Sequence, residues 1–227
     1  MSFRYADSTL SLMRWDPVTT VRNALWIGGG QWSGKSTVAG IIADRHGLTH
    51  YHYDYHDARG HQDRRVAARL RRGESPGDPH PDRVWVTPSP QEMASTVLAG
   101  FPERFEWVLD DLRALGTPRP VIVDGWGIRP ELVVRVAGSP RQMVVLVPTE
   151  EFRRHQLAVL PRAGTFNARV SDPVKAQRNR VARDGLIIQD VTENAKLSGV
   201  IIIEVDGSRG VEATAEMVAD HFSPFLA

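Results

Sequence analysis

Eight consecutive residues, Gly29-Gly30-Gln31-Trp32-Ser33-Gly34-Lys35-Ser36, match the pattern G-x-x-x-x-G-K-[ST] in full. This run constrains the fold more than any other stretch, because such a loop needs a strand feeding it and a helix leaving it. Both flanks are present. Ala24-Leu25-Trp26-Ile27 is a short apolar run that ends in glycines, as a buried strand entering a turn does. After the loop, Val38, Ile41 and Ile42 follow the i, i+3, i+4 spacing of a helix, and Gly47 stands where that helix would stop.

The chemistry of the pattern is anion binding. Glycines let the backbone wrap closely, so that its N–H groups face phosphate oxygens, and the helix N-terminus adds positive partial charge. Residues 29–37, from Gly29 through Thr37, are therefore expected to cradle ATP, with the Lys35 ammonium on the β/γ-phosphates and the Ser36 hydroxyl on Mg²⁺. Composition sharpens the point. Only three of the 28 basic residues are lysine, Lys35, Lys175 and Lys196, and the rest are arginine. One of the three occupies the position where phosphate needs a compact point charge. Val121-Ile122-Val123 is a second apolar run, ending in Asp124-Gly125. A carboxylate at a strand end opens onto the ligand crevice of such a sheet, so Asp124 is expected to share the metal with Ser36.

The remaining chain alternates strand and helix signals. Thr49 to Tyr55 reads as a strand, residues 64–72 as a short basic helix closed by Gly73, and 73–90 as a proline-rich loop. Ser89-Pro90-Gln91-Glu92 combines an N-cap serine, a first-turn proline and a glutamate three residues on. Phe105, Val108, Leu109, Leu112 and Leu115 form one helical face. A short helix is expected at 131–137, a buried strand at 143–147, a helix start at Thr149-Glu150-Glu151 and a loop over 161–171. Asp172-Pro173 caps a long helical stretch with a break expected at Gly185. A last strand at 200–205 and a final helix with Val211, Ala215, Val218 and Phe222 on one face complete the count. Five strands alternating with helices predict an α/β fold of three layers, a parallel sheet covered on both faces, in one domain.

The second strand carries an unusual cluster. If it is extended, His50, His52, Asp54 and His56 lie on one face and Tyr51, Tyr53 and Tyr55 on the other, with Asp57, His61 and Asp63 close behind. Two readings remain open beside that of a polar strand edge. Asp54 accepts the proton of an attacking hydroxyl, or the histidines bind a transition metal, since imidazole suits such ions.

On these residues the chain resembles the P-loop kinases of small metabolites and nucleotides, the group of adenylate, shikimate, gluconate and chloramphenicol kinases. The loop at 29–36 is similar to their ATP loop, the Asp54 segment to the acceptor-binding carboxylate after their second strand, and Val121 to Gly125 to their third strand. The resemblance runs from about residue 25 to about residue 222. It implies a P-loop NTPase sheet of order 2-3-1-4-5, a lid near 161–172 and lid arginines that stabilise the transferring phosphoryl group. Candidates are Arg153, Arg154, Arg162, Arg169, Arg178, Arg180 and Arg183, with Arg178 and Arg183 favoured. It also implies that the Asp206-Gly207-Ser208 turn borders the adenine. Residues 58–90 match no acceptor pocket of the family and stand where the acceptor-binding part belongs.

Charge and composition exclude other classes. With 28 basic against 27 acidic residues, nothing favours a whole-protein nucleic-acid binder. The absence of cysteine removes disulfides and thiolate metal sites. No apolar run reaches membrane-span length, and the first 20 residues carry Arg4, Asp7, Arg14 and Asp16 in place of a secretion signal core, so a cytoplasmic location is expected. The expected function is an ATP- and Mg²⁺-dependent phosphotransferase acting on a hydroxyl of a small molecule. A polynucleotide or RNA-end kinase, suggested by the arginines of 64–72, and a nucleotide-binding switch or regulatory protein without transfer activity are the alternatives.

Overall fold

In a computed structural model that describes residues 17–76, 80–117, 119–164 and 169–226, the first element is α1 (Pro17–Asn23), which passes through Ala24 into β1 (Leu25–Gly29). The glycine loop follows, then α2 (Lys35–His46), β2 (Thr49–His52), α3 (Tyr53–Asp57), α4 (Gly60–Arg71) and α5 (Pro81–Trp85). A long helix, α6 (Pro90–Leu115), leads to β3 (Val121–Asp124), α7 (Pro130–Val133) and β4 (Met143–Pro148). The last elements are α8 (Glu150–Val159), α9 (Pro161–Gly164), α10 (Pro173–Leu197), β5 (Ile201–Val205) and α11 (Val211–Phe222).

The five strands form one parallel sheet, as the alternation of strand and helix signals predicts, in the order β2-β3-β1-β4-β5 that the family resemblance implies. Alternation along each strand sends side chains to two cores. Trp26, Val121, Val123, Met143 and Val145 pack on one side with Val108, Leu109 and Leu112 of α6 and Val191 of α10. Leu25, Ile27, Ile122, Val144 and Leu146 pack on the other with Val38 and Ile42 of α2 and Val218 and Phe222 of α11. Each fully buried aliphatic or phenyl side chain contributes about 1.5–3 kcal/mol, which is why a chain of apolar strands and amphipathic helices settles into three layers.

Register decides where the chemistry lies. Ile27 of β1 stands opposite Asp124 of β3, and His52 of β2 stands opposite the same aspartate. The carboxyl ends of three neighbouring strands therefore meet at one level. Gly30 N–H donates to Leu146 O at 2.9 Å, so the glycine loop starts at that level too.

Four local expectations are corrected. The second strand ends at His52 and not at Tyr55, because the buried Tyr53 ring turns the chain into α3. Asp54 and His56 are thus helical and do not share a strand face with His50 and His52. Helix α10 runs unbroken through Gly185. The proline-rich loop contains α5, started by Pro81 with the His80 ring accepting from Asp82 N–H. Part of the loop expected at 161–171 is the short helix α9, while residues 165–168 lie outside the described residues. The Ser89 capping box is present, and the helix it starts extends through Pro102 to Leu115. Among the described residues, no helix is long and apolar enough to cross a membrane.

Candidate functional site

The glycine loop closes on itself. Ser33 Oγ donates to Gly30 O at 2.9 Å, and Lys35 Nζ donates to the same carbonyl at 2.5 Å. Gly34 caps α2 in a left-handed conformation, and Trp32 also adopts a positive φ of 65°. Gln31 and Trp32 are half-buried and Thr37 is exposed on the first turn of α2. At the exit of β1, a Cβ on Gly29 would stand 2.1 Å from Leu146 O, so only glycine fits between loop and sheet.

Lys35 is buried. Burial lowers its pKa, while the carboxylates of Asp54, Asp124 and Asp184 pull in the opposite direction. These three acids converge on the lysine from α3, β3 and α10.

Asp124 is fully buried at the end of β3 and is the most heavily bonded of them. Ser36 Oγ donates to its Oδ2 at 2.6 Å. His50 Nε2 and His52 Nδ1 both reach its Oδ1, at 2.7 and 2.9 Å. Burial by itself would raise its pKa, but the hydrogen bonds from His50, His52 and Ser36 hold the carboxyl well below the usual carboxylate range. The hydrogen bond to Asp124 raises the His52 pKa against the opposing effect of burial. The paired hydroxyl and carboxylate oxygens fit a hard divalent ion such as Mg²⁺, which takes few protein oxygens and keeps several waters.

Asp54 occupies the first turn of α3 and is held by the loop after β3. Its Oδ1 accepts from Trp126 N–H at 3.3 Å. Tyr53 makes this possible. A Cβ on Gly125 or Gly127 would stand 2.5 or 2.4 Å from the Tyr53 side chain, so two glycines seat the ring and the next residue faces the loop. Burial raises the Asp54 pKa, with Lys35 and the Trp126 N–H opposing it. The carboxyl therefore has more proton affinity than an ordinary aspartate.

The histidines divide between two carboxylates. His50 and His52 serve Asp124, whereas His61 Nε2 lies 2.9 Å from Asp111 Oδ2, which also accepts from Tyr51 at 2.7 Å. Arg64 donates to the other Asp111 oxygen at 3.0 Å, and His56 stacks on Tyr51 with ring centroids 4.2 Å apart.

A cavity of about 320 Å³ opens beside the loop. Trp32, Thr37 and Val38 line it from the loop and α2, Phe152 and Leu160 from around α8, and Arg209 from beyond β5. The Asp206-Gly207-Ser208 turn stands behind this wall. Asp206 Oδ1 accepts from Ser208 N–H and Oγ at 2.9 and 2.6 Å, and a Cβ on Gly207 would meet the Phe152 ring at 2.7 Å.

The candidate arginines have different surroundings. Arg183 is buried, donates to Asp184 Oδ1 at 2.9 and 2.6 Å, and lies 5.1 Å from the Trp85 ring centroid and 5.6 Å from that of Trp126. Arg178, one and a half turns earlier, is exposed, so the two do not share a face of α10. Arg153 donates to Glu150 and to Val181 O, and Arg180 donates to Ala163 O, tying α9 to α10. Arg154 pairs with Glu150 and Arg169 is exposed. The side chain of Arg162 lies outside the described ones.

Sequence reasoning missed Trp126, whose N–H fixes Asp54, and Asp184, the third acid around Lys35. Asp184 had a signal in its adjacency to Arg183 and its helical phase with Ile187 and Val191, which places it on the buried side of α10.

No family model and no curated protein matches the sequence. Comparison with solved structures aligns the chain with a gluconokinase from Sinorhizobium meliloti 1021, at 12% identity and a TM-score of 0.41, over 90% of this chain and 94% of that one. It also aligns with shikimate kinase from Aquifex aeolicus vf5, at 14% identity and a TM-score of 0.38, over 87% and 95%.

Proposed function

We propose that this protein transfers the γ-phosphoryl group of ATP to a hydroxyl of a small molecule. The observation that carries the proposal is the meeting of Lys35, Asp124 and Asp54 at one end of the sheet, with Ser36 bonded to Asp124 and Asp54 bonded to the following loop. The phosphates lie in the loop of residues 29–36, and the base occupies the cavity beside Trp32, bordered through Phe152 by the turn at Asp206-Gly207-Ser208. Lys35 exchanges its bond to Gly30 O for phosphate oxygen. Ser36 and Asp124 hold Mg²⁺, which when bound neutralises charge on the phosphates.

Asp54 is the base. Its raised proton affinity favours taking the hydroxyl proton of the acceptor as that oxygen attacks phosphorus. Arg183, whose guanidinium lies over the Trp85 and Trp126 rings, stabilises charge on the transferring group, and Arg178, exposed on another face of α10, is the second candidate for that role. The described residues of 58–90 are assigned to the acceptor and those of 161–172 to the nucleotide side. The reading as a polynucleotide-end kinase loses support because four of the five arginines behind it form ion pairs with three nearby carboxylates. Arg64 pairs with Asp111, Arg65 with Asp57, and Arg69 and Arg72 with Glu74.

The test is a screen of ATP consumption across hydroxylated metabolites, nucleosides and aminoglycoside-like compounds. Acceptor-dependent ADP release that disappears in Lys35→Ala and Asp54→Asn is expected. Nucleotide binding with no transfer to any acceptor, and a preference for GTP, would instead mark a switch protein.

A further inference from the structure

The Ser36 and Asp124 pair has two more donors than a magnesium site needs. His50 and His52 are alternate residues of β2, so their imidazoles fall on one side of the strand. Parallel register with β3 sets His52 opposite Asp124 and His50 opposite Ile122, and both rings lean onto the aspartate. The result is a compact set of four groups. His50 Nε2, His52 Nδ1 and an Asp124 oxygen all lie within 4.8 Å of one another, and Ser36 Oγ is 3.4 Å from His52 Nδ1.

These separations are close to those of a coordination shell. Bonds of about 2.0–2.1 Å to nitrogen and oxygen, at angles between octahedral and tetrahedral, imply ligand–ligand edges of about 2.8–3.4 Å. The observed edges are 2.7, 2.9 and 3.4 Å from the histidines and 2.6 Å from the serine. Opening the shorter ones by a few tenths of an ångström admits an ion. The donor types then select its class. Two imidazole nitrogens with a carboxylate suit borderline transition ions, whereas Mg²⁺ prefers oxygen and water. The imidazoles are partly exposed, at 26% and 37%, so an ion can enter from solvent, while Asp124 beneath them is fully buried.

We propose that His50, His52 and Asp124, with Ser36, form a site for a nitrogen-preferring divalent transition ion at the mouth of the glycine loop. This deepens the functional reading and rests on it only in placing Ser36 and Asp124 at the nucleotide metal. The ion binds without nucleotide, because all four donors come from the chain itself. It couples the edge strand β2 to the phosphate loop through a shared carboxylate, and it replaces the hydrogen bonds that the histidines make to Asp124.

The test is a Co²⁺ titration of the full chain, without a polyhistidine tag and without nucleotide, followed by visible absorption. One equivalent with ligand-field bands is expected, displaced by Zn²⁺ and only weakly by Mg²⁺. His50→Gln and His52→Gln should each weaken binding at least tenfold, while His46→Gln, on an exposed position of α2, should not. Pulsed electron paramagnetic resonance of the wild-type chain with one equivalent of Cu²⁺ needs no variant, and coupling to two imidazoles is expected. Absence of Co²⁺ binding, binding by either histidine variant as tight as by the wild-type chain, or no imidazole coupling overturns the site. Nucleotide affinity measured in parallel separates the two proposals. Transition-metal binding without nucleotide binding supports this site while removing the kinase reading, and the reverse result does the opposite.

Discussion

Ser36 Oγ lies 2.6 Å from Asp124 Oδ2, joining the first turn of α2 to the end of β3 across 88 residues of sequence. The bond ties the loop that would hold phosphate to the acid that would hold its metal, so either partner alone should be insufficient. Ser36→Ala and Asp124→Asn are each expected to lower kcat by about 100-fold or more, the usual loss when a group stabilising transition-state charge is removed. Calorimetric titration with ATP checks the cause. Mg²⁺ should tighten binding to the wild-type chain and do so far less in either variant; an undiminished Mg²⁺ effect would place the metal elsewhere.

Asp54 should cost the fold stability that catalysis recovers. Burial raises its pKa in the native state above the ordinary aspartate value that the unfolded chain retains. Below that value both states are protonated and the residue contributes no difference. As pH rises from there through the native pKa, the unfolded state loses its proton first and native stability declines. Above the native pKa the penalty is complete. Asp54→Asn is therefore expected to raise the unfolding free energy at pH 7 and to change it by almost nothing at pH 3. Turnover should fall by about 100-fold or more in the same variant. In the wild-type chain, kcat/KM should decline on the acid side with a midpoint above the ordinary aspartate range. Urea denaturation at the two pH values and a pH–rate profile check these signs.

The loop, its lysine and serine, and the acid at the end of β3 were legible because each depends on a local pattern with one structural solution, whereas the strand order came only from the family resemblance. A G-x-x-x-x-G-K-S run between an apolar strand and a helix has few other ways to fold. The strand extent at 49–55 was not legible. Alternation continues through Tyr55, and what ends the strand is the seating of Tyr53 against Gly125 and Gly127, some 70 residues away. For the same reason the histidine cluster read as one group divides in two, since its carboxylates come from β3 and α6. The pairing of Arg183 with Trp85 and Trp126 likewise depends on contacts between distant segments.

Gly127 offers a direct test of that seating. Its φ is not positive, so alanine is conformationally allowed, and the cost of substitution is the overlap of a Cβ with Tyr53 Cζ at 2.4 Å. Gly127→Ala should destabilise the protein by about 1–3 kcal/mol and reduce turnover by displacing the neighbouring Asp54. Shortening the ring with Tyr53→Leu should cost stability alone but make the alanine tolerable. The double variant should be more stable than the sum of the single effects implies. Thermal denaturation of the four proteins closes the cycle, and simple additivity would mean the ring and the glycine do not act on each other.

Arg183 and Arg178 separate a buried structural charge from an exposed one. Arg183→Ala leaves Asp184 buried without its partner, and breaking such a pair costs about 3–5 kcal/mol. Arg178 is exposed, and Arg178→Ala should change stability by no more than about 0.5 kcal/mol. Any loss of turnover in Arg178→Ala then reports contact with the transferring group directly. For Arg183 the two roles must be uncoupled. Asp184→Asn in the Arg183→Ala background removes the stranded charge and should restore most of the stability. Turnover should nevertheless stay down by about 100-fold, because the guanidinium proposed to stabilise the phosphoryl charge is still absent. Recovery of turnover together with stability would assign Arg183 to the scaffold and leave the charge stabilisation to another arginine.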